Sequence, residues 1–223
     1  MRRLFLLLIL VACTRPLTPS EASFTAQFTG PEAAETARIG QAIYAPPSRE
    51  IAVRPRTTCQ SRIWPPNDGP TMRVATLAAV LFNTIYVREG VYQPDMLPNY
   101  PREIYLPDAM LLGHEMVHVW QWQNREVTGY HPLLAALEHA SGRDPYLIDP
   151  ETTADFLSFG FEQQGAIMDE YICCLALAPD ADRTRRLYTM LDVHFDLPAP
   201  GTPLAQSVRL PYPELNAAGI CDP

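Results

Sequence analysis

His114 and His118 stand four residues apart, with Glu115 directly after the first, in the string His114-Glu115-Met116-Val117-His118. On an α-helix, positions i and i+4 share one face about a turn apart, so two imidazoles at this spacing can reach one metal ion. Glu115 is rotated by about 100° from His114. Its carboxylate therefore borders such an ion without displacing a ligand. The chemistry implied is hydrolysis by a metal-activated water, with Glu115 as the general base. A catalytic site of this kind needs a third protein ligand and keeps one position for water. Two carboxylates compete for that role. Glu138 lies 20 residues after His118, whereas Glu162 has Gly165 and Ala166 one turn away and Asp169 at i+7. Small residues beside a ligand let two helices approach closely.

The elements that must position these groups are partly legible. Pro107 and Asp108 open a helix that runs to about Glu126, with Gly129 just beyond it. Leu111, Leu112, Val119, Trp120 and Trp122 supply its apolar contacts. Of the two tryptophans at most one is expected to line a cleft, since neighbours two apart on a helix face different ways. Upstream, Val80 to Val87 reads as a strand and Glu103 to Leu106 as a short second one. Within the first of these, Phe82 to Val87 is a candidate edge for an extended peptide. Helices are also predicted from Pro31 to about Tyr44, from Pro132 to His139, from Thr152 or Thr153 to about Leu177, and from Asp182 to Val193. A Pro-rich tail follows. The pattern predicts an α+β fold, mainly helical, in a single domain with a small β element before the motif helix.

Three stretches resemble the zincin metallopeptidases, and more closely a group of poorly characterised bacterial proteins with the same His-Glu-x-x-His string. They are Leu81 to Val87 (LFNTIYV), His114 to Gln121 (HEMVHVWQ) and Glu162 to Gly165 (EQQG). The resemblance covers about half the chain. It implies Zn²⁺ as the cofactor, held by His114, His118 and a carboxylate from a second helix; no substrate comes with it, and a peptide or protein is expected from the hydrolytic chemistry itself. Gln121 and Asn124 stand where a metzincin would have Gly and His, which excludes that class. Helix spacing and the EQQG stretch together favour Glu162 over Glu138, although Glu138 matches the separation of thermolysin-like enzymes. Tyr130, Tyr171 and His194 are candidate oxyanion donors. Asp155 or Asp169 could orient a ligand histidine through its other ring nitrogen.

With 223 residues, 47% hydrophobic and 19% charged, the composition suits one globular core. The net charge is −8, and all 17 cationic residues are Arg. No basic face is expected for nucleic acid. Met1-Arg2-Arg3 and the apolar run Leu4 to Val11 read as a secretory signal peptide over residues 1–12. The ending Leu10-Val11-Ala12-Cys13 resembles the lipobox of bacterial lipoproteins. That resemblance implies a lipid on Cys13, attachment to the membrane, and a place in the bacterial cell envelope, at the outer membrane facing the periplasm. Residues 13–30 then read as a tether and 31–223 as the domain. In an oxidising compartment Cys59, Cys173, Cys174 and Cys221 suggest two disulfides, with the adjacent pair bridging to different partners.

Overall fold

The computed structural model describes residues 14–43, 47–139 and 144–222. The expected signal peptide and the expected lipid attachment point, Cys13, lie outside them. Thr14–Pro16 forms β1, and Thr18 caps α1 (Pro19–Thr29) in a reciprocal capping box with Glu21. Glu21 is buried. It also accepts from the Arg15 guanidinium at 2.7 Å and from the Met96 amide at 2.8 Å. Phe24 and Phe28 of α1 lie wholly within the core. The segment expected to be a tether is therefore part of the domain from Thr14 onward. Its small and polar residues concealed two phenylalanines one helical turn apart, enough to dock the helix.

The helix expected from Pro31 stops early. α2 covers only Pro31–Thr36, and β2 (Arg38–Gln41) follows at once. Ile39 has no exposed surface there. The strand forms because partners wait on both sides, β1 antiparallel and β6 (Thr84–Val87) parallel. Pairing in a sheet overrides the helical bias of the alanines. The single strand expected from Val80 is a hairpin, β5 (Ala78–Leu81) turning back into β6. Phe82 takes a left-handed φ of 59° at the turn, and its ring packs on Trp122 at 4.6 Å. Sheet order is β1-β2-β6-β5, so β6 is interior and cannot serve as the expected edge for a peptide. The margin nearest the motif helix is β5, which packs against it. Two small sheets complete the β content. β3 (Arg49–Ala52) pairs with β4 (Thr71–Val74), and β7 (Glu103–Tyr105) pairs with β8 (Ser207–Arg209). Between the strands of the first lies the one-turn helix α3 (Cys59–Arg62).

The motif helix α4 is Leu106–Gln123, with Pro107 in its first turn and Asp108 at the favourable end of the dipole. It is enclosed on most sides: every residue from Leu112 to Val119 is buried. A short turn α5 (Arg125–Thr128) ends on Gly129 in the left-handed region, and α6 (Pro132–Glu138) follows. The next helix, α7, begins at Phe161 rather than at Thr152 or Thr153, and runs to Leu177. Asp155 caps only a short 3-10 turn, Phe156–Ser158. α8 is Asp182–Leu191. The architecture is α+β, with α4 and α7 packed together as its centre. Among the described residues no helix is long and apolar enough to cross a membrane.

Two disulfides leave adjacent residues of α7: Cys173 bridges to Cys59 and Cys174 to Cys221. They fasten α3 and the Pro-rich tail to the central helix. Glu170 reinforces this junction by accepting from the Cys59 amide and from Arg183 at 2.9 Å each. A buried pair of this kind requires that neither partner be removed alone. Replacing Cys59 and Cys173 together by Ala is expected to lower unfolding free energy by about 2–4 kcal/mol, because the bridge closes a long loop in the unfolded chain. Denaturant titration checks this, and an unchanged midpoint would contradict it.

Candidate metal centre

α4 and α7 meet through two glycines. A Cβ on Gly113 would fall 2.2 Å from Ile172 Cδ1, and one on Gly165 would fall 2.5–2.7 Å from three ring atoms of His114. The helices thus approach closely enough for a carboxylate on α7 to reach imidazoles on α4. Glu162 Oε2 lies 3.2 Å from His114 Nε2 and 3.5 Å from His118 Nε2. His114, His118 and Glu162 offer donor atoms all within 4.8 Å of one another, a buried group that could hold a metal ion. A second group, Cys59, Cys174 and Cys221, consists of disulfide sulfurs and offers no thiolates.

Each member of the first group is aimed by a neighbour. His114 Nδ1 donates to Asp169 Oδ2 at 3.0 Å, and Gln60 Nε2 donates to the same oxygen at 3.1 Å. His118 Nδ1 lies 2.8 Å from Gln121 Oε1. His139 Nε2 contacts the other oxygen of Glu162 at 3.0 Å. Burial alone would push the Glu162 carboxyl up, but the charges and hydrogen bonds of His118, His114 and His139 outweigh it and hold the group far below the usual carboxylate range. It therefore stands as an anion, the form a cation needs.

Glu115 is the exception to this pairing. It is buried, and Oε2 has no hydrogen-bond partner in the described structure. Burial raises its pKa while His114 and His118 pull the other way. A buried carboxylate oxygen left unpartnered is costly, and Oδ1 of Asp169, whose other oxygen holds His114, shares that condition. The donor set, two imidazole nitrogens and one carboxylate oxygen, could hold a divalent cation.

Glu138, the rival ligand, has a different task. Its carboxylate accepts from the amides of Phe161 and Glu162 at 2.9 and 3.0 Å. It caps α7 from another helix and so places Glu162. Of the two candidate orienting acids, Asp169 takes that place and Asp155 does not. Of the three candidate oxyanion donors only Tyr130 is at the site, stacked on His118 with ring centroids 5.7 Å apart. The Tyr171 hydroxyl bonds the Pro198 carbonyl in the core, and His194 packs among Trp120, Phe156 and Phe195. Neither tryptophan joins the site: Trp120 packs against Phe195 and Trp122 against Phe82 and Arg125.

Sequence reasoning missed His139 and Tyr146. Tyr146 packs its ring near those of His114 and His139, with Arg54 over its face. Burial, then Glu162 and Glu115, push its phenol up, as burial, Glu115 and Glu162 do for Tyr130. Both phenols therefore keep their protons and remain donors. The usable signal was scarcity. With 5 histidines in the chain, one adjacent to Glu138 warranted more weight. No family model, curated protein or solved structure matches this chain, so the functional reading rests on the geometry of the site itself.

Proposed function

We propose that this chain is a zinc-dependent metallopeptidase of the bacterial cell envelope, held to the membrane through a lipid on Cys13. The observation that carries the reading is the unpartnered Glu115 Oε2 beside the group His114, His118 and Glu162. A site meant only to staple the fold would surround its cation with four protein donors. Among the described residues three converge, and Glu115 beside them has an oxygen with no hydrogen-bond partner.

Zinc bound by those three side chains would supply a Lewis acid that acidifies water and polarises a scissile carbonyl. Glu115 takes the proton from the attacking water and returns it to the departing amine. Asp169 and Gln121 hold the two imidazoles in place, and His139 holds the outer oxygen of Glu162. Tyr146 and Tyr130, both protonated, would be the donors to the developing oxyanion. An extended peptide would pair along β5, the margin of the sheet that packs on α4. Because β1 starts at Thr14, a lipid on Cys13 would hold the folded sheet at the bilayer with no intervening linker.

The test is metal analysis of protein purified without chelator, followed by hydrolysis of a mixed peptide library. About one zinc per chain is expected. A chelator should abolish cleavage and zinc should restore it. A protein that holds iron instead of zinc, or that cleaves nothing when zinc-loaded, would overturn the proposal.

A further inference from the structure

Gln121 and Gln164 belong to two of the motif stretches yet contribute no metal-binding atom. They are almost wholly buried, 0% and 2% exposed. A buried primary amide is costly unless both its ends find partners. These two satisfy each other in a chain whose chemical sense is fixed at one end. The Phe159 carbonyl can only accept, so Gln164 turns its Nε2 to it at 2.9 Å. Gln164 Oε1 then faces Gln121 and can be satisfied only by an N–H. Gln121 accordingly turns Nε2 toward it at 2.9 Å, with the Phe161 carbonyl a second acceptor at 3.3 Å. That leaves Gln121 Oε1 against His118 Nδ1 at 2.8 Å, a contact that needs a hydrogen on the ring nitrogen. The lone pair of the neutral ring is then on Nε2, the atom that faces Glu162.

We propose that Gln121 and Gln164 form a polarity relay, which carries the acceptor sense of the carbonyl entering α7 to His118 and selects its Nδ1–H tautomer. The two are positioning residues. The inference rests on the metal-site reading above only in giving this tautomer its use. It also explains an asymmetry: His114 is held by a carboxylate, whereas His118 is held by a neutral amide. A carboxylate there would be the fourth in a site that already contains Glu115, Glu162 and Asp169.

The test is the nitrogen-15 spectrum of His118 in metal-free protein, at a pH above the ring's titration, with zinc affinity measured by chelator competition. Wild type is expected to show one tautomer, Nδ1–H. Gln164→Leu removes the shorter of the two contacts that orient the Gln121 amide, leaving only the 3.3 Å one to the Phe161 carbonyl, and should give a measurable share of the Nε2–H tautomer. Gln121→Leu removes the acceptor and should weaken zinc binding by about tenfold or more. Gln121→Glu still accepts from Nδ1–H and should keep the tautomer. A single Nδ1–H form in folded Gln164→Leu protein would overturn the relay. So would zinc affinity within about twofold of wild type in Gln121→Leu protein, far short of the loss usual for such a partner. If Gln121→Leu fails to fold, Gln164→Leu and Gln121→Glu still decide. The spectrum needs neither metal nor turnover, so an inactive protein with the expected tautomers sinks the peptidase proposal alone.

Discussion

Glu115→Gln is expected to reduce peptide hydrolysis by about 10²–10⁴-fold, the usual contribution of a positioned general base, while zinc content stays at the wild-type level. The amide has the carboxylate's shape but cannot accept a proton. None of the three metal-facing side chains is altered. The same change should leave thermal stability equal or higher, because a neutral group replaces a buried carboxylate whose Oε2 has no partner. Opposite movement of activity and stability is the pattern of a residue retained for chemistry at the fold's expense. Hydrolysis and metal content measured on the same preparation check it. Activity retained in the variant would remove Glu115 from the mechanism. Activity lost together with zinc would mean that the residue supports the site rather than acting in it.

Gly165→Ala should damage the metal site more than its size suggests. The new methyl would sit 2.5 Å from His114 Cε1, 2.6 Å from Nε2 and 2.7 Å from Nδ1. These atoms belong to one rigid ring. His114 cannot yield without breaking its contact to Asp169 or moving Nε2 away from Glu162. Zinc affinity is expected to fall at least about tenfold, in line with the loss of a ligand's orienting partner. Overpacking should cost about 1–3 kcal/mol of stability, partly offset by the better helix propensity of Ala. Gly113→Ala is the matched control across the same interface. Its methyl would meet Ile172 Cδ1 at 2.2 Å, the far end of a flexible side chain that can change rotamer. Chelator competition on both variants separates the cases. Equal zinc affinity in Gly165→Ala and wild type would show that the helix approach does not position His114.

The contrast between these glycines bears on what local sequence can convey. The Gly165 and Ala166 spacing pointed to a close helix approach and hence to Glu162, and the structure brings Glu162 to the two imidazoles. The same spacing was silent about Glu138. Its separation from His118 suited a ligand, but its carboxylate caps α7 through space. The bridge from Cys221 could not be assigned for the same reason. Cys173 and Cys174 leave α7 in different directions, and only the packing of α3 and the tail shows which partner each meets.

What the sequence determined by itself is whatever depends on short separations. The pairing of His114 and His118 on one helical face follows from 3.6 residues per turn, and Pro107, Gly129, Pro132 and Pro179 bound the helices near them through backbone sterics. Two disulfides among Cys59, Cys173, Cys174 and Cys221 were equally legible. Only the tertiary structure decided the groups that meet across long separations. These are Glu138 on the amides of Phe161 and Glu162, Gln60 on Asp169, His139 on Glu162 and Gln164 on Gln121. It also decided that residues 14–29 fold and that Arg38–Gln41 is a strand. In each case the decisive free energy comes from burial or pairing against chain that is distant in sequence, which no local pattern encodes.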